Sequence, residues 1–440
     1  MSNKPTPTLI ERALADLNSP PSECLTIGGL EAEELAQRFG TPTYVYDANV
    51  LRRRFADVKQ SMGVNVLYAL KANPSLAVAH VLREAGAGAE IASAGEMYIA
   101  EKAGFSGEQM QFAGPGKSEQ ELRLAVDKGL YSINMESEAE YEAIVEVAKT
   151  SKRKPQVSIR VNPPKSSSGA RMHMGGGAKK FGVDASEVAA LLRRIQSEGK
   201  VQLQGLHNYL GTQCFSAEAW LQGASQMLAF TKEMEAEANV ALPSIDFGGG
   251  FGVPCFERDK EFDLAAAGRG LRTLLEGEER HAHIELGRYL TAPAGVYLTR
   301  VRYIKESGGK RFAVLDGGIH HHSAGASVGS VVPRPFPMVA AKAPLSQNVR
   351  PQTLCGPLCT PVDVFATGVE LPELEVGDLV AILISGAYGL TFSNVLFLSH
   401  PTPGEVLVDG GRAHLIREPG RPQDALRGQH LPGQYAPGEK

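Results

Sequence analysis

The chain has 440 residues, of which 43% are hydrophobic and 21% charged, and its formal net charge is −4. That length suits two domains or one large barrel with an addition, and the composition is ordinary for a soluble globular protein. The charge gives no electrostatic ground for nucleic acid or an anionic membrane as partner. The five cysteines (Cys24, Cys214, Cys255, Cys355, Cys359) are odd in number, scattered and free of any CxxC pair. They predict reduced thiols, with no disulfide framework and no metal ligand set. The opening "MSNKPTPTLIERALADLN" lacks the apolar core of a signal peptide, and no run approaches the roughly 20 apolar residues of a membrane span. The expected location is the cytoplasm.

Residues 1–48 include "LTIGGLEAEELAQRFGTPTYVYD" and are expected to join a β domain formed later in the chain. From 49 to 296, short β-type runs alternate with amphipathic stretches. The runs are "NVLYAL", "AGAEIAS", "QMQFAG", "YSINME", "QVSIRVN", "QLQGLHNYLG", "SIDFGGG" and "AHIELG". Several intervening segments open on Ser or Asp and close on Gly, as capped helices do. Eight such strands over some 250 residues predict an α/β fold of the (β/α)8 barrel type. An open doubly wound sheet has the same local rhythm, and the count of eight favours the barrel. Residues 297–417 ("GVYLTRVRYIKES", "KRFAVLDGG", "DLVAILIS", "EVLVDGGRAHLI") have strands without long helices and predict a mostly β domain. The Pro/Gly-rich tail 418–440 is expected to be disordered.

In a barrel, reactive groups gather at the C-terminal strand ends. "NVLYALKANPSL" puts Lys71 where the first strand runs out, and lysine is rarely buried without a partner. Glu90 and Ser93 fall around strand two, His207 and Tyr209 on strand six, Gly248, Gly249 and Gly250 after strand seven, and Glu285 and Arg288 at strand eight. Taken singly these residues are bland. Lys71 can snorkel to a rim, "GGGFG" can be a tight turn, and Glu285 with Arg288 can be an ion pair. Cys359 taken alone reads as a small buried hydrophobe. Together they suggest a lysine-bound aromatic phosphate cofactor. A lysine in a partly apolar site has a lowered pKa and can form a Schiff base. Backbone N–H groups of "DFGGGFG" suit a phosphate, a carboxylate suits a pyridine nitrogen, and Tyr209 can stack on a ring.

With "YALKAN", "DFGGGFG", "ELGR", "GPLC" and "GAYG" in that order, the chain resembles the pyridoxal-phosphate decarboxylases of the alanine-racemase-type barrel fold, the diaminopimelate and ornithine decarboxylase family. The likeness spans about residues 25 to 415. It implies pyridoxal 5'-phosphate on Lys71, its phosphate at Gly248 to Gly250 and Tyr388, and Glu285 at the pyridine nitrogen. Arg288 would meet the phosphate or the substrate carboxylate. It also implies a homodimer with shared active sites, in which Cys359 reaches into the neighbouring subunit and delivers a proton after CO2 leaves. Cys355 does not match the motif.

Several positions depart from the family's pattern. Tyr209 stands where the family has a stacking histidine, and His207, two residues earlier, is offset on the same strand face and expected towards the substrate. Thr360 replaces the acidic residue that recognises the far end of diamino substrates. A substrate with a neutral, amidated, thioester-linked or anionic far end is therefore expected, and an anionic one could meet Arg334 or a histidine of "IHHHS". His320, His321 and His322 make a poor metal site if extended, because neighbours on a strand point to alternate faces. "GPLCTPVD" and "SGAYGLTFSNVLFLSHPTPGEVLV" are more similar to a divergent branch of the family. That branch includes the butirosin-pathway decarboxylase of carrier-bound glutamyl groups and the exosortase-associated decarboxylases. The resemblance implies an α-decarboxylase of an L-amino acid or amino-acyl derivative in specialised metabolism. Diaminopimelate decarboxylation is the alternative, with an amino-acid racemase and an inactive regulatory or cofactor-binding homologue behind it.

Overall fold

The computed structural model describes residues 7–20, 24–163, 170–173, 180–209, 211–326 and 335–432. It divides into two compact units. The first holds a closed barrel of eight parallel strands. These are β1 (Asn65–Ala69), β2 (Gly88–Ile91), β3 (Met110–Phe112), β4 (Ser132–Met135), β5 (Gln156–Asn162), β6 (Gln202–His207), β7 (Ser244–Gly249) and β8 (His281–Leu286). Each strand pairs with the next, and β8 closes on β1 with Glu285 opposite Leu67. All eight predicted runs are barrel strands. The connecting helices start and stop where their caps dictate. Ser93 accepts a hydrogen bond from Glu96 N at 3.2 Å to begin helix Ala94–Ala103, and left-handed Gly104 ends it.

The barrel interior is partly polar. Ser132 Oγ donates to Ser158 Oγ at 2.7 Å, and Asn134 Nδ2 donates to Gln111 Oε1 at 3.1 Å. Buried groups satisfied in this way help to specify one register.

Helix Leu9–Asp16 clusters with the barrel unit, which corrects the expectation that all of residues 1–48 join the β domain. Its capping box (Thr8 with Glu11) fixes its start, and Leu9 N donates to Glu257 Oε1 at 3.2 Å. Arg12 pairs with Glu261 at 3.1 Å, and Arg53 donates to the Asp16 carbonyl. Those partners were not legible because they lie more than 200 residues away in the case of Glu257 and Glu261.

The second unit takes residues 19–45, 296–383 and 389–440 and is built on a mostly antiparallel sheet. Its long strand Gly295–Ser307 pairs with Lys310–Leu315 and Leu379–Ile382, and Arg350–Cys355 pairs with Val364–Leu371. The tail is ordered further than expected. Gly420 N donates to Thr402 O at 2.9 Å, Arg421 N donates to Asp424 Oδ2 at 2.8 Å, and Pro422–Leu426 forms a short 3₁₀ helix. Residues 433–440 lie outside the described residues.

His320, His321 and His322 form a turn, not an extended segment, and all three are buried. The rings of His320 and His321 lie 3.6 Å apart, His321 Nε2 meets Pro401 O at 2.9 Å, and Tyr44 and Tyr297 edge onto His322. This corrects two expectations: the rings do not alternate, and none is open to an anionic substrate. Arg334, the other expected contact, lies outside the described residues.

Burial pushes the three imidazoles down, to about 3, about 4 and about 3 in chain order. A histidine kept neutral in the fold but free to protonate at its ordinary value once unfolded costs stability on the acid side. Stability is therefore fully present above about pH 6.5 and is lost as pH falls towards 4, by on the order of a few kcal/mol for each ring. Unfolding midpoints measured between pH 7.5 and 4.5 should fall steeply below 6.5. A flat profile over that range would show that the rings are protonated in the folded protein.

Candidate active site

Lys71 sits in a 3₁₀ turn, Leu70–Ala72, at the C-terminal end of β1. Its Nζ lies 3.0 and 2.9 Å from the two carboxylate oxygens of Glu90 on β2, which is 1% exposed, while the lysine side chain is 40% exposed. Burial works against the ammonium charge, but Glu90 and then Glu285 more than offset it and hold the Lys71 pKa above its ordinary value. The expected lowering is therefore corrected: a bidentate carboxylate outweighs the apolar surroundings. Burial likewise pushes Glu90 up, with Lys71 opposing the rise.

Below this pair, three further groups meet inside the barrel. His207 at the end of β6, Asp246 on β7 and Glu285 on β8 bring their polar atoms within 4.8 Å of one another. His207 Nε2 stands 3.2 Å from Glu285 Oε1, with both side chains almost fully buried. Strand β6 stops at His207, so alternation ends there. Tyr209 follows outside the strand and lines the space beside Lys71, its ring centroid 5.5 Å from Nζ. His207 is turned to Glu285, not to that space, which differs from its expected place beside Tyr209.

The glycine run is shaped by what surrounds it. Gly248 and Gly250 have φ of 64° and 84°, and a Cβ on any of the three would strike backbone: Asn208 O at Gly248, Glu285 O at Gly249 and Gly211 O at Gly250. The amide of Gly248 is already donated to Asp246 Oδ1 at 2.8 Å, so it is engaged inside the fold. Gly250, Arg288 and Tyr388 line the cavity that Lys71 enters. Tyr388 N donates to Ala72 O at 2.7 Å, and the Arg288 guanidinium lies 4.5 Å from the Tyr388 ring centroid. A buried Arg288 Nε has no hydrogen-bond partner, and Glu285 Oε1, ion-paired with His207 Nε2 at 3.2 Å, makes no hydrogen bond. A guanidinium Nε without a partner beside a side-chain-free backbone fits a phosphate, and a buried carboxylate such as Glu285 fits a protonated ring nitrogen. The residues present therefore suit pyridoxal phosphate on Lys71.

A larger cavity, of about 310 Å³, opens at the N-terminal strand ends, around Asn65, Gly88, Gln111 and His283. It is bigger but lacks the convergent charges that surround Lys71.

In the β unit, "GPLCTPVD" is organised by the carboxylate of Asp363, which accepts from Ile319 N and Leu358 N, both at 2.8 Å. That loop leaves Cys359 exposed with Thr360 beside it, while Cys355 is part-buried and directed to Ala313 O at 3.6 Å.

The family model described as pyridoxal-dependent decarboxylase, pyridoxal binding domain, matches residues 48–292. Over 91% of the chain and 96% of the relative, the sequence is 37% identical to the L-glutamyl-[BtrI acyl-carrier protein] decarboxylase of Niallia circulans. It is 32% identical to the diaminopimelate decarboxylase of Aquifex aeolicus, covering 90% of this chain and 93% of that one. A solved diaminopimelate decarboxylase from M. jannaschi superposes with a TM-score of 0.88 at 25% identity, covering 96% and 99%.

Proposed function

The chain belongs to the pyridoxal-dependent decarboxylases, and from that membership we propose how its own residues divide the work and what substrate they admit. It is a pyridoxal-phosphate-dependent carboxy-lyase acting on an amino acid or amino-acyl derivative. Once bound, the cofactor supplies an electron sink for the bond to the departing carboxylate.

Lys71 holds the cofactor covalently, and Glu90, in two-point contact with it, takes the proton that the ammonium must lose before the amine can attack. Gly250, Arg288 and Tyr388 bind the phosphate, with Gly248 and Gly249 giving the backbone its close approach. Glu285 would hold the ring nitrogen and Tyr209 would cover one ring face, both lining the cavity that Lys71 enters. Residues that fix the substrate's carboxylate in one orientation would set up its loss as CO2. Cys359 of the partner subunit then gives its thiol proton to Cα, and solvent restores the proton to this exposed sulfur.

The partner is a second copy of the chain. Phe392, Leu396, Phe397 and Leu398 expose an apolar stretch, Leu396 at 85%, of a kind that monomers seldom leave in water.

The substrate class rests on Thr360. A diamino substrate brings a cationic far end that needs a carboxylate partner, and Thr360 supplies a hydroxyl. A glutamyl or other acylated group, presented by a carrier protein as in the Niallia relative, meets no such demand. The test compares kcat/KM for free diaminopimelate, lysine and ornithine with glutamyl thioesters, free and carrier-bound. Discrimination against the free diamino acids should reach on the order of 10²-fold or more. If free diaminopimelate is turned over best, the reading passes to diaminopimelate decarboxylase.

No helix among the described residues is long and apolar enough to cross a membrane.

A further inference from the structure

We infer that His207 is a positioning residue for the ring-nitrogen carboxylate: through Nε2, 3.2 Å from Glu285 Oε1, it fixes Glu285 in one orientation and in its ionised form. The inference rests on the proposed place of Glu285 at the cofactor nitrogen.

The geometry is that of a closed cluster. His207 sits directly across from Asp246 in the β6–β7 ladder, and Gly249, three residues on, sits across from Glu285 in the β7–β8 ladder. None of His207 Nδ1, His207 Nε2, Glu285 Oε1 and Asp246 Oδ2 makes a hydrogen bond among the described residues, so His207 and Glu285 meet as an ion pair at 3.2 Å and the cluster's outward bonds are few. His207 therefore acts on its surroundings chiefly through Glu285. The charged and titratable groups acting on Glu285 include His207, Lys71, Arg160, Asp246, Glu90 and His283.

Charge decides which acid stays ionised. Three buried carboxyls, Glu90, Asp246 and Glu285, share the cations Lys71, His207 and Arg160. Burial, then Glu285, pushes Asp246 up to about 8, so near neutrality it carries its proton. Glu285 goes the other way: burial opposes its charge, but His207 foremost, then Lys71 and Arg160, hold it below the ordinary carboxylate value. His207 is raised in return by Glu285 against the opposing effect of burial.

The experiment measures the dissociation constant for pyridoxal phosphate from pH 4 to 9 in the full-length wild type, His207→Gln, Glu285→Gln and the double variant. Removing an opposite charge this close raises a carboxyl pKa by about one unit or more. The acid limb of cofactor binding in H207Q should accordingly move up by about one pH unit, with affinity on that limb lowered roughly tenfold and affinity at pH 8 little changed. E285Q should lose the limb, and adding H207Q to it should change nothing further. In the wild type, the ¹⁵N resonances of His207 should report an imidazolium persisting well above its ordinary titration range, a result that needs no variant to fold. An acid limb that stays put in a folded H207Q, additive effects in the double variant, or a neutral His207 at pH 7 would overturn the inference while the proposed function stands. A wild-type chain that takes up no cofactor would overturn the proposed function as well.

Discussion

Replacing Lys71 with alanine is expected to lower decarboxylation by on the order of 10³-fold or more and to remove covalently held cofactor. Among the described residues, no other lysine lines the cavity beside Tyr209, so no neighbouring amine there can substitute. The substitution also strands a buried carboxylate, since Glu90 is 1% exposed and owes its charge to Lys71. Glu90 will then take up a proton, and some stability will be lost. Lys71→Arg separates the two effects. Arginine keeps a cation against Glu90 and so keeps the fold, but a guanidinium that is always protonated cannot attack an aldehyde. K71R should therefore unfold near the wild-type temperature and still be inactive. Substantial turnover by K71R would mean that Lys71 serves only as the partner of Glu90.

Mixing inactive Lys71→Ala protein with inactive Cys359→Ala protein should restore activity from near zero to about a quarter of the wild-type value. In a two-fold symmetric dimer with shared sites, half of randomly paired dimers are hybrids, and each hybrid has one site with both residues intact. Cys359 is exposed in the single chain, which leaves its thiol free for a neighbour's site. If Lys71 and Cys359 served the same subunit, every site in the mixture would lack one of them. Subunit exchange demonstrated by mass, with no return of activity, would exclude the shared arrangement.

The barrel was readable because its signal is local. β1 to β8 each declare themselves through a short apolar run, and Ser93 and Gly104 mark a helix by capping chemistry alone. The position of Lys71 at the end of β1 was readable for a related reason, since a charge at the end of an apolar strand stands out. What the sequence hid is set by distance. Glu285 and His207 are 78 positions apart and meet only because β6, β7 and β8 are neighbours in the closed sheet. The place of His207 was misjudged because period-two alternation was carried past the strand end, where Tyr209 no longer obeys it. The Lys71 pKa was expected to fall because the strand around it is apolar, and the bidentate contact of Glu90 reversed the sign. His320 to His322 were read as a strand segment open to substrate, whereas a turn buries all three against Tyr44, Tyr297 and His400.

The account turns on Lys71 as the residue that carries the cofactor. Wild-type protein reconstituted with pyridoxal phosphate should be reduced with borohydride, digested, and mapped by mass spectrometry for the pyridoxyl group. The predicted result is one labelled peptide, containing "YALKAN", with the modification on Lys71. A label on any other lysine, or no label on a protein that remains folded, would contradict it.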